Sequence, residues 1–443
     1  MNSFKTFSRA FTYLFLIASG FITTAYSQNL RIYQIDVEQA DATLLVSPSG
    51  GTLLVDSGKN GHGNRLKAAM DEAGVTQIDA FVCTHYHEDH YGGIDDLVND
   101  HDVPVLETYD RGEKNYIPAS KRNSTTFLGY NNAVGEDAII LRPGDEIIFD
   151  PEIRVTCISS SGVVIGEENP TAGVDENDMS ISLLITYGSF RYFIGGDIEH
   201  ETEEDIASRD LIMDIDVYQA NHHGSHSSSL REFMEDLSPT VIVISNGSHG
   251  TYHHPRQTTL DLYSLLAGPP IVFQTNRCLA GSPAGNVQND RIGDPESTDD
   301  DGTILIDVDN DVGTYTVSLR ESVYETYQIK GGGGPNISVV IESILPNPQG
   351  QDRQFEEVTI RNNGAQAVSV AGWILRDRSN KDWDLSSMGS LAASQSGTIR
   401  RNGQRMSLNN SGDEIRLQDA TGVERDRFEY SGSQEGVVIN TEH

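Results

Sequence analysis

Thr84-His85-Tyr86-His87-Glu88-Asp89-His90-Tyr91-Gly92-Gly93 follows the apolar run 80–83 and places four potential metal ligands, His85, His87, Asp89 and His90, within six residues. A loop leaving the end of a strand aims both imidazoles of a His-x-His pair at one ion. Asp89 and His90, a turn further on, face a second position close by. Imidazole nitrogens with one carboxylate suit Zn²⁺, and Mn²⁺ or Fe²⁺ are tolerated when more oxygen ligands join. Gly92-Gly93 lets the backbone turn tightly before a helix beginning over 94–98. A metal centre at a strand end is the first expectation.

Outward from this run, apolar segments at 30–37, 42–46, 52–55, 80–83, 139–141, 181–185, 192–194, 217–220, 241–245 and 271–274 have the length and β-branched content of strands. Helical spacing of apolar residues marks 63–73, 229–237 and 258–266. Strands interleaved with helices predict an α/β domain. Lys330-Gly331-Gly332-Gly333-Gly334-Pro335 reads as a flexible tether. Beyond it, 337–345, 356–361, 373–377, 397–399, 414–418 and 427–430 are short strands between Gly/Asn/Asp/Ser turns, the pattern of a β-sandwich. The expected organisation is a leader over 1–27, an α/β domain over 28–329, a Gly-rich linker over 330–335 and an all-β domain over 336–443.

The leader is inferred from Lys5 and Arg9, the apolar run 10–22 and the small residues of Ala25-Tyr26-Ser27, which together have the form of a cleaved export signal. A secreted or periplasmic protein is expected, and no later stretch is long and apolar enough to span a bilayer. Cys83, Cys157 and Cys278 are too few for a disulfide framework, so stability must come from cores and metal. The net charge of −35 is concentrated before the tether: residues 28–335 hold 18 Lys+Arg against 51 Asp+Glu, residues 336–443 hold 11 against 15. Such a surface repels polyanions at long range and counts against tight sequence-independent nucleic-acid binding. The acidic stretch 290–311 does not satisfy the EF-hand pattern, because position 12 counted from Asp307 is Ser318, and a solvated hairpin loop is expected there.

His-x-His-x-Asp-His-x-Gly-Gly resembles the signature of the metallo-β-lactamase superfamily, which implies an αββα sandwich with metals at one edge of two facing sheets. Asp56-Ser57-Gly58 is similar to that family's early Asp-x-Gly turn, and Gly195-Gly196-Asp197 to the turn whose carboxylate bridges two metals. His222-His223-Gly224-Ser225, Ser245-Asn246-Gly247 and Tyr252-His253-His254-Pro255 narrow the resemblance to the hydrolase domain of the ComEC family of DNA-uptake proteins, over about 30–317. The resemblance implies two divalent ions, Zn²⁺ or Mn²⁺: His85 and His87 for the first, Asp89, His90 and His254 for the second, Asp197 for both. The superfamily's usual third histidine for the first metal is missing. Asn177 or Asp178, in Asn177-Asp178-Met179-Ser180, would supply an oxygen there and favour Mn²⁺. His222 is expected to orient the scissile group, donate a proton or ligate metal, with Asp89 as the other catalytic candidate, while His223, His226, His249 and His253 read as loop histidines and His62, near Asp56, is left unassigned.

The implied chemistry is hydrolysis by a metal-bound hydroxide, and the ComEC resemblance turns it toward phosphodiesters in nucleic acid or nucleotides. Arg111, Lys114, Lys121 and Arg122, interleaved with Tyr109, Tyr116, Phe127 and Tyr130, are expected either to grip phosphate or to be a solvated loop, and Ser225 is a further candidate for substrate contact. A hydrolase of lactones or β-lactams and a non-catalytic metal-containing binding protein are the alternatives. The C-terminal segment resembles a lamin-tail domain through Ile341-Glu342-Ser343-Ile344-Leu345-Pro346, Glu356-Glu357-Val358-Thr359-Ile360-Arg361 and Val370-Ala371-Gly372-Trp373. That implies an immunoglobulin-like sandwich for binding DNA, glycan or protein, with Trp373 in its core.

Overall fold

The computed structural model describes residues 29–441 except 113, 115–116, 168–174, 249–250, 298–301, 320–321, 332–338, 351, 365–366 and 421–423. The export-signal reading, most of the tether and His249 lie outside the described residues.

Two nine-stranded sheets face one another across the α/β domain. The apolar strands feed both of their faces into packed layers. In Thr52–Val55, Leu53 and Val55 enter the core between the sheets, and Leu54 packs outward with Leu66, Ala69 and Met70 of the helix Gly63–Ala73. In Val241–Ile244 of the second sheet, Val241 and Val243 face inward, while Ile242 and Ile244 meet Phe233, Met234 and Leu237 of the helix Arg231–Leu237. Strands covered on both faces read as continuous apolar runs rather than alternating ones, which is why these segments stand out in the sequence. The result is four layers, αββα.

Several strands depart from the sequence reading, Thr314–Leu319 and Ser322–Gln328 among them. Val105–Asp110 exposes Leu106 and Glu107, and Ile153–Ser160 is interrupted by Arg154 and Thr156, so neither carries a clean pattern. In the acidic stretch, Ile304–Asp309 pairs with Leu30–Gln34 inside the first sheet, its Ile304, Ile306 and Val308 facing the inter-sheet core. The solvated hairpin is confined to the turn before Thr314–Leu319. All three cysteines are buried and unpaired. Among the described residues, no helix is long and apolar enough to cross a membrane.

The C-terminal unit is a β-sandwich of two four-stranded sheets with a short two-stranded pair. Trp373, Trp383, Leu375, Ile360 and Leu417 share its core. Trp383 is fully buried, and its indole N–H donates to the Met406 carbonyl at 2.9 Å, so its one polar atom is satisfied. Both tryptophans of the chain lie in this unit, so indole fluorescence reports on it alone. Trp383→Ala is expected to destabilise it by about 3–5 kcal/mol, measured by urea unfolding followed through Trp373. An unshifted transition would contradict the core assignment.

Candidate metal centre

Parallel strands deliver the polar cluster at their carboxyl ends, the usual place for ligands in α/β sheets. Thr52–Val55 leads to Asp56, Ile78–Val82 to the run from His85 to His90, Phe190–Ile194 to Asp197, and Val217–Gln219 to His222 and His223. The turn at Asp197 tolerates no side chain before it: a Cβ on Gly195 would lie 2.1 Å from the Asn221 Oδ1, and Gly196 has φ +57°. A cleft of about 480 Å³ opens over Asp197, with His87, Asp89, Asn177, His222, His223 and His254 on its walls.

Asp197 is buried, and its carboxylate is ringed by imidazoles. Oδ2 lies 3.4 Å from His90 Nε2 and 3.8 Å from both His85 Nε2 and His222 Nε2; Oδ1 lies 3.9 Å from His223 Nε2. Burial alone would raise the Asp197 pKa, but His90, His222 and His223 outweigh it and hold the carboxylate ionised, well below its usual range. Asp56 fixes His90 from behind. Its Oδ2 meets His90 Nδ1 at 2.7 Å and accepts from the Thr84 hydroxyl at 2.8 Å, and its Oδ1 accepts from the Thr84 N–H at 2.8 Å. A carboxylate on one ring nitrogen of a ligating histidine orients the other toward the metal.

Two ligand groupings share Asp197. His85, His87 and Asp197 bring donor atoms together on one side; Asp41, His90, Asp197 and His223 do so on the other. The first is the grouping the His-x-His spacing announces. The second contains two residues that the sequence reading passed over. His223 was expected to be a loop histidine, yet it is buried with Nε2 3.7 Å from Asp89 Oδ2 and Nδ1 3.0 Å from the Ser245 carbonyl. Asp41 is buried with Oδ2 3.6 Å from His223 Nδ1, and burial, partly offset by His223 and His90, raises its pKa to about 7. Asp89 joins this side; burial would raise its pKa, but His223 and His90 pull it below the ordinary value. His254 stands on the same wall, 5.3 Å from the His222 ring centroid and 6.2 Å from that of His223, outside both groupings.

Whether these residues fit divalent ions can be judged from their unpartnered atoms. Asp41 Oδ2, His90 Nε2, Asn177 Oδ1, Asp197 Oδ1, His223 Nε2 and His254 Nδ1 are all buried without a hydrogen-bond partner. Each such atom costs about 1–3 kcal/mol if left unsatisfied, and four of them, those of Asp41, His90, Asp197 and His223, fall in one ligand grouping and match the demand of cations for nitrogen and oxygen donors. Asn177 and Asp178 stand differently toward the cleft, although Asp178 also falls in a separate carboxylate group with Asp175 and Glu199. Asn177 lines the cleft with a free buried oxygen, whereas Asp178 Oδ1 accepts from the Glu199 N–H at 2.8 Å and braces the turn behind it.

The basic candidates separate. Arg111 is buried, donates to both oxygens of Glu176 at 3.0 and 2.8 Å and lies 4.4 Å over the Tyr86 ring, so it braces the wall and does not grip substrate. Lys114 pairs with Asp110 at 2.9 Å and donates to the Gly135 carbonyl, also away from the cleft. Arg122 does not line the cleft, and Ser225 is buried with its hydroxyl 3.0 Å from that of Ser227. Lys121 remains at the cleft mouth.

Residues 35–245 match the model of the metallo-beta-lactamase superfamily, and residues 334–432 match that of the lamin tail domain. The chain carries a metallo-β-lactamase domain. It is similar to ComE operon protein 3 of Bacillus subtilis, 26% identical over 269 residues that cover 57% of this chain and 32% of that protein. It is similar as well to competence protein ComA of Neisseria gonorrhoeae, 23% identical with 55% and 31% covered. The chain thus spans about a third of the length of these relatives. Among solved structures, CmlA, a diiron β-hydroxylase from Streptomyces venezuelae, aligns with a TM-score of 0.34 at 15% identity, covering 56% of this chain and 52% of CmlA. The superfamily match and the buried ligand cluster make this a metal-dependent hydrolase domain. His223→Ala is expected to lower bound divalent metal by about one equivalent, while Arg111→Ala lowers thermal stability without changing metal content; elemental analysis and a melting curve read both. Full metal retention in His223→Ala would remove it from the centre.

Proposed function

We propose that the metallo-β-lactamase domain hydrolyses phosphodiester bonds in nucleic acid or nucleotides, as the likeness to ComE operon protein 3 and ComA suggests. The observation that carries this reading is the pairing of His222 with Glu199 above Asp197. His222 Nδ1 lies 3.0 Å from Glu199 Oε1, which also accepts from the Ser227 hydroxyl at 2.6 Å and from Asn177 Nδ2 at 3.3 Å. Nε2 is thereby turned to the cleft. The Glu199 carboxylate behind Nδ1 orients the ring as a candidate proton donor to a leaving alkoxide.

His85, His87 and Asp197 on one side and Asp89, His90, Asp197 and His223 on the other would hold divalent ions, Zn²⁺ or Mn²⁺, which would supply Lewis acidity and an activated water. Asp197 joins the two sides, Asp56 keeps His90 in its ligating orientation, and His222 serves the departing oxygen. The Asp89 and Asp197 carboxylates and the Asn177 amide around the cleft favour oxygen-seeking ions. The enzyme acts outside the cytoplasm on the reading of residues 1–27, and the lamin-tail unit serves as a targeting module for DNA, glycan or protein.

Metal-loaded protein is expected to turn over bis(p-nitrophenyl) phosphate and a single-stranded oligonucleotide. His222→Ala should lose about 10²–10⁴ in kcat, and Glu199→Gln should lose less because it acts through His222. Turnover of a chromogenic lactam or a lactone alone would overturn the phosphodiester reading. Bound metal without turnover of any of them would favour a binding role.

A further inference from the structure

Residues 28–335 carry 51 acidic against 18 basic side chains. Among the described residues Arg65, Lys67, Arg111, Lys114, Arg154, Arg209 and Arg231 form ion pairs with carboxylates, and none of these lines the cleft over the metal centre. Lys59 and Lys121 differ: among the described residues neither ammonium has an ion-pair partner, and both line the cleft over the metal centre. They reach it from separate, fixed mounts. The Lys59 backbone is pinned by His62, its N–H donating to His62 Nδ1 at 3.1 Å and its carbonyl accepting from the His62 N–H at 3.1 Å. Lys121 rides on the short helix Ala119–Arg122, held against Thr125–Tyr130, whose Phe127 and Tyr130 are buried in the outer core and whose N-cap Ser124 accepts from the Phe127 N–H. Lys121 is solvent-exposed and borders the same cleft as His87. The cleft also carries Tyr252, 53% exposed, with its ring 6.1 Å from that of His254.

A large exposed aromatic and two unpaired ammonium groups, ranged around a hydrolytic centre in an otherwise anionic domain, are out of keeping with a substrate that presents only its scissile group. We propose that Lys59 and Lys121 hold phosphates next to the scissile one and that Tyr252 stacks a base, so that the substrate is an oligonucleotide strand rather than an isolated diester. The proposal rests on the phosphodiesterase reading above and extends it to the neighbouring subsites. Lysines at fixed points answer the long-range repulsion of the acidic surface with local attraction, and base stacking on an exposed ring needs no particular sequence. An unstacked single strand can present a base to Tyr252, which a base in a duplex cannot reach without leaving its stack.

The test compares two substrates on the metal-loaded full chain: hexathymidylate, with flanking phosphates and bases, and bis(p-nitrophenyl) phosphate, with neither. In the Lys59→Ala/Lys121→Ala double variant, the ratio of kcat/KM for hexathymidylate to that for the small diester should fall about tenfold or more, through KM, with metal content as in the wild type. The dependence of log(kcat/KM) on log[salt] for hexathymidylate should become shallower by roughly 0.7 per lysine removed. Tyr252→Ala should lower the same ratio with the salt slope preserved. Equal losses on both substrates, or an unchanged salt slope in the double variant, would overturn the subsites while leaving the phosphodiesterase reading standing. A wild type inert on both substrates would overturn that reading itself, and the subsites with it.

Discussion

A single buried carboxylate, Asp197, organises the hydrolytic end of this molecule. A carboxylate taken out of water is costly unless charge or metal meets it. Here four imidazoles, those of His85, His90, His222 and His223, approach within 3.9 Å of its two oxygens. They come from two different sheets, His85 and His90 beyond Ile78–Val82 in the first, His222 and His223 beyond Val217–Gln219 in the second. The centre therefore exists only when the sheets face one another in register, and the large apolar core between them is what sets that register.

Around this point the protein spends polar side chains on orientation. Asp56 holds His90, Glu199 holds His222, and the Ser245 carbonyl holds His223. Glu203 lies deeper still: it is fully buried, accepts from Asn221 Nδ2 at 2.7 Å and from the Ser229 N–H at 2.8 Å, and so anchors the loop that carries His222 and His223. Both of those histidines have positive φ, near 50° and 55°. Backbone in that region is disfavoured for residues with a Cβ, and the buried hydrogen bonds of Asn221 keep the turn in place. Function and strain coincide here.

How much of this was legible in the sequence follows from how local each feature is. His85, His87, Asp89 and His90 lie within six residues, so a metal centre in an α/β domain could be read directly, while the αββα arrangement and the place of Asp197 came through the family resemblance. His223 and Asp41 could not. Nothing in their spacing relates them, and they meet only because the loop after Leu30–Gln34 and the loop after Val217–Gln219 end at the same edge of the sandwich. The signal that could have found them was the doubled histidine itself at a strand end, where both rings cannot point into solvent. Arg111 misled in the opposite way. Its neighbours Lys114 and Lys121 suggested a basic lid, but its partner Glu176 is 65 residues away and invisible to any local pattern. Strands such as Val105–Asp110 were hidden because half of their residues face solvent at a sheet margin.

Metal content is the most direct measure of whether Asp197 plays this organising part. Wild-type protein and Asp197→Ala, loaded with Zn²⁺ or Mn²⁺, freed of excess ion and analysed for bound metal, should differ by the whole complement, the wild type holding about two equivalents per chain and the variant close to none. An Asp197→Ala protein that keeps the wild-type metal content while remaining folded would contradict the account.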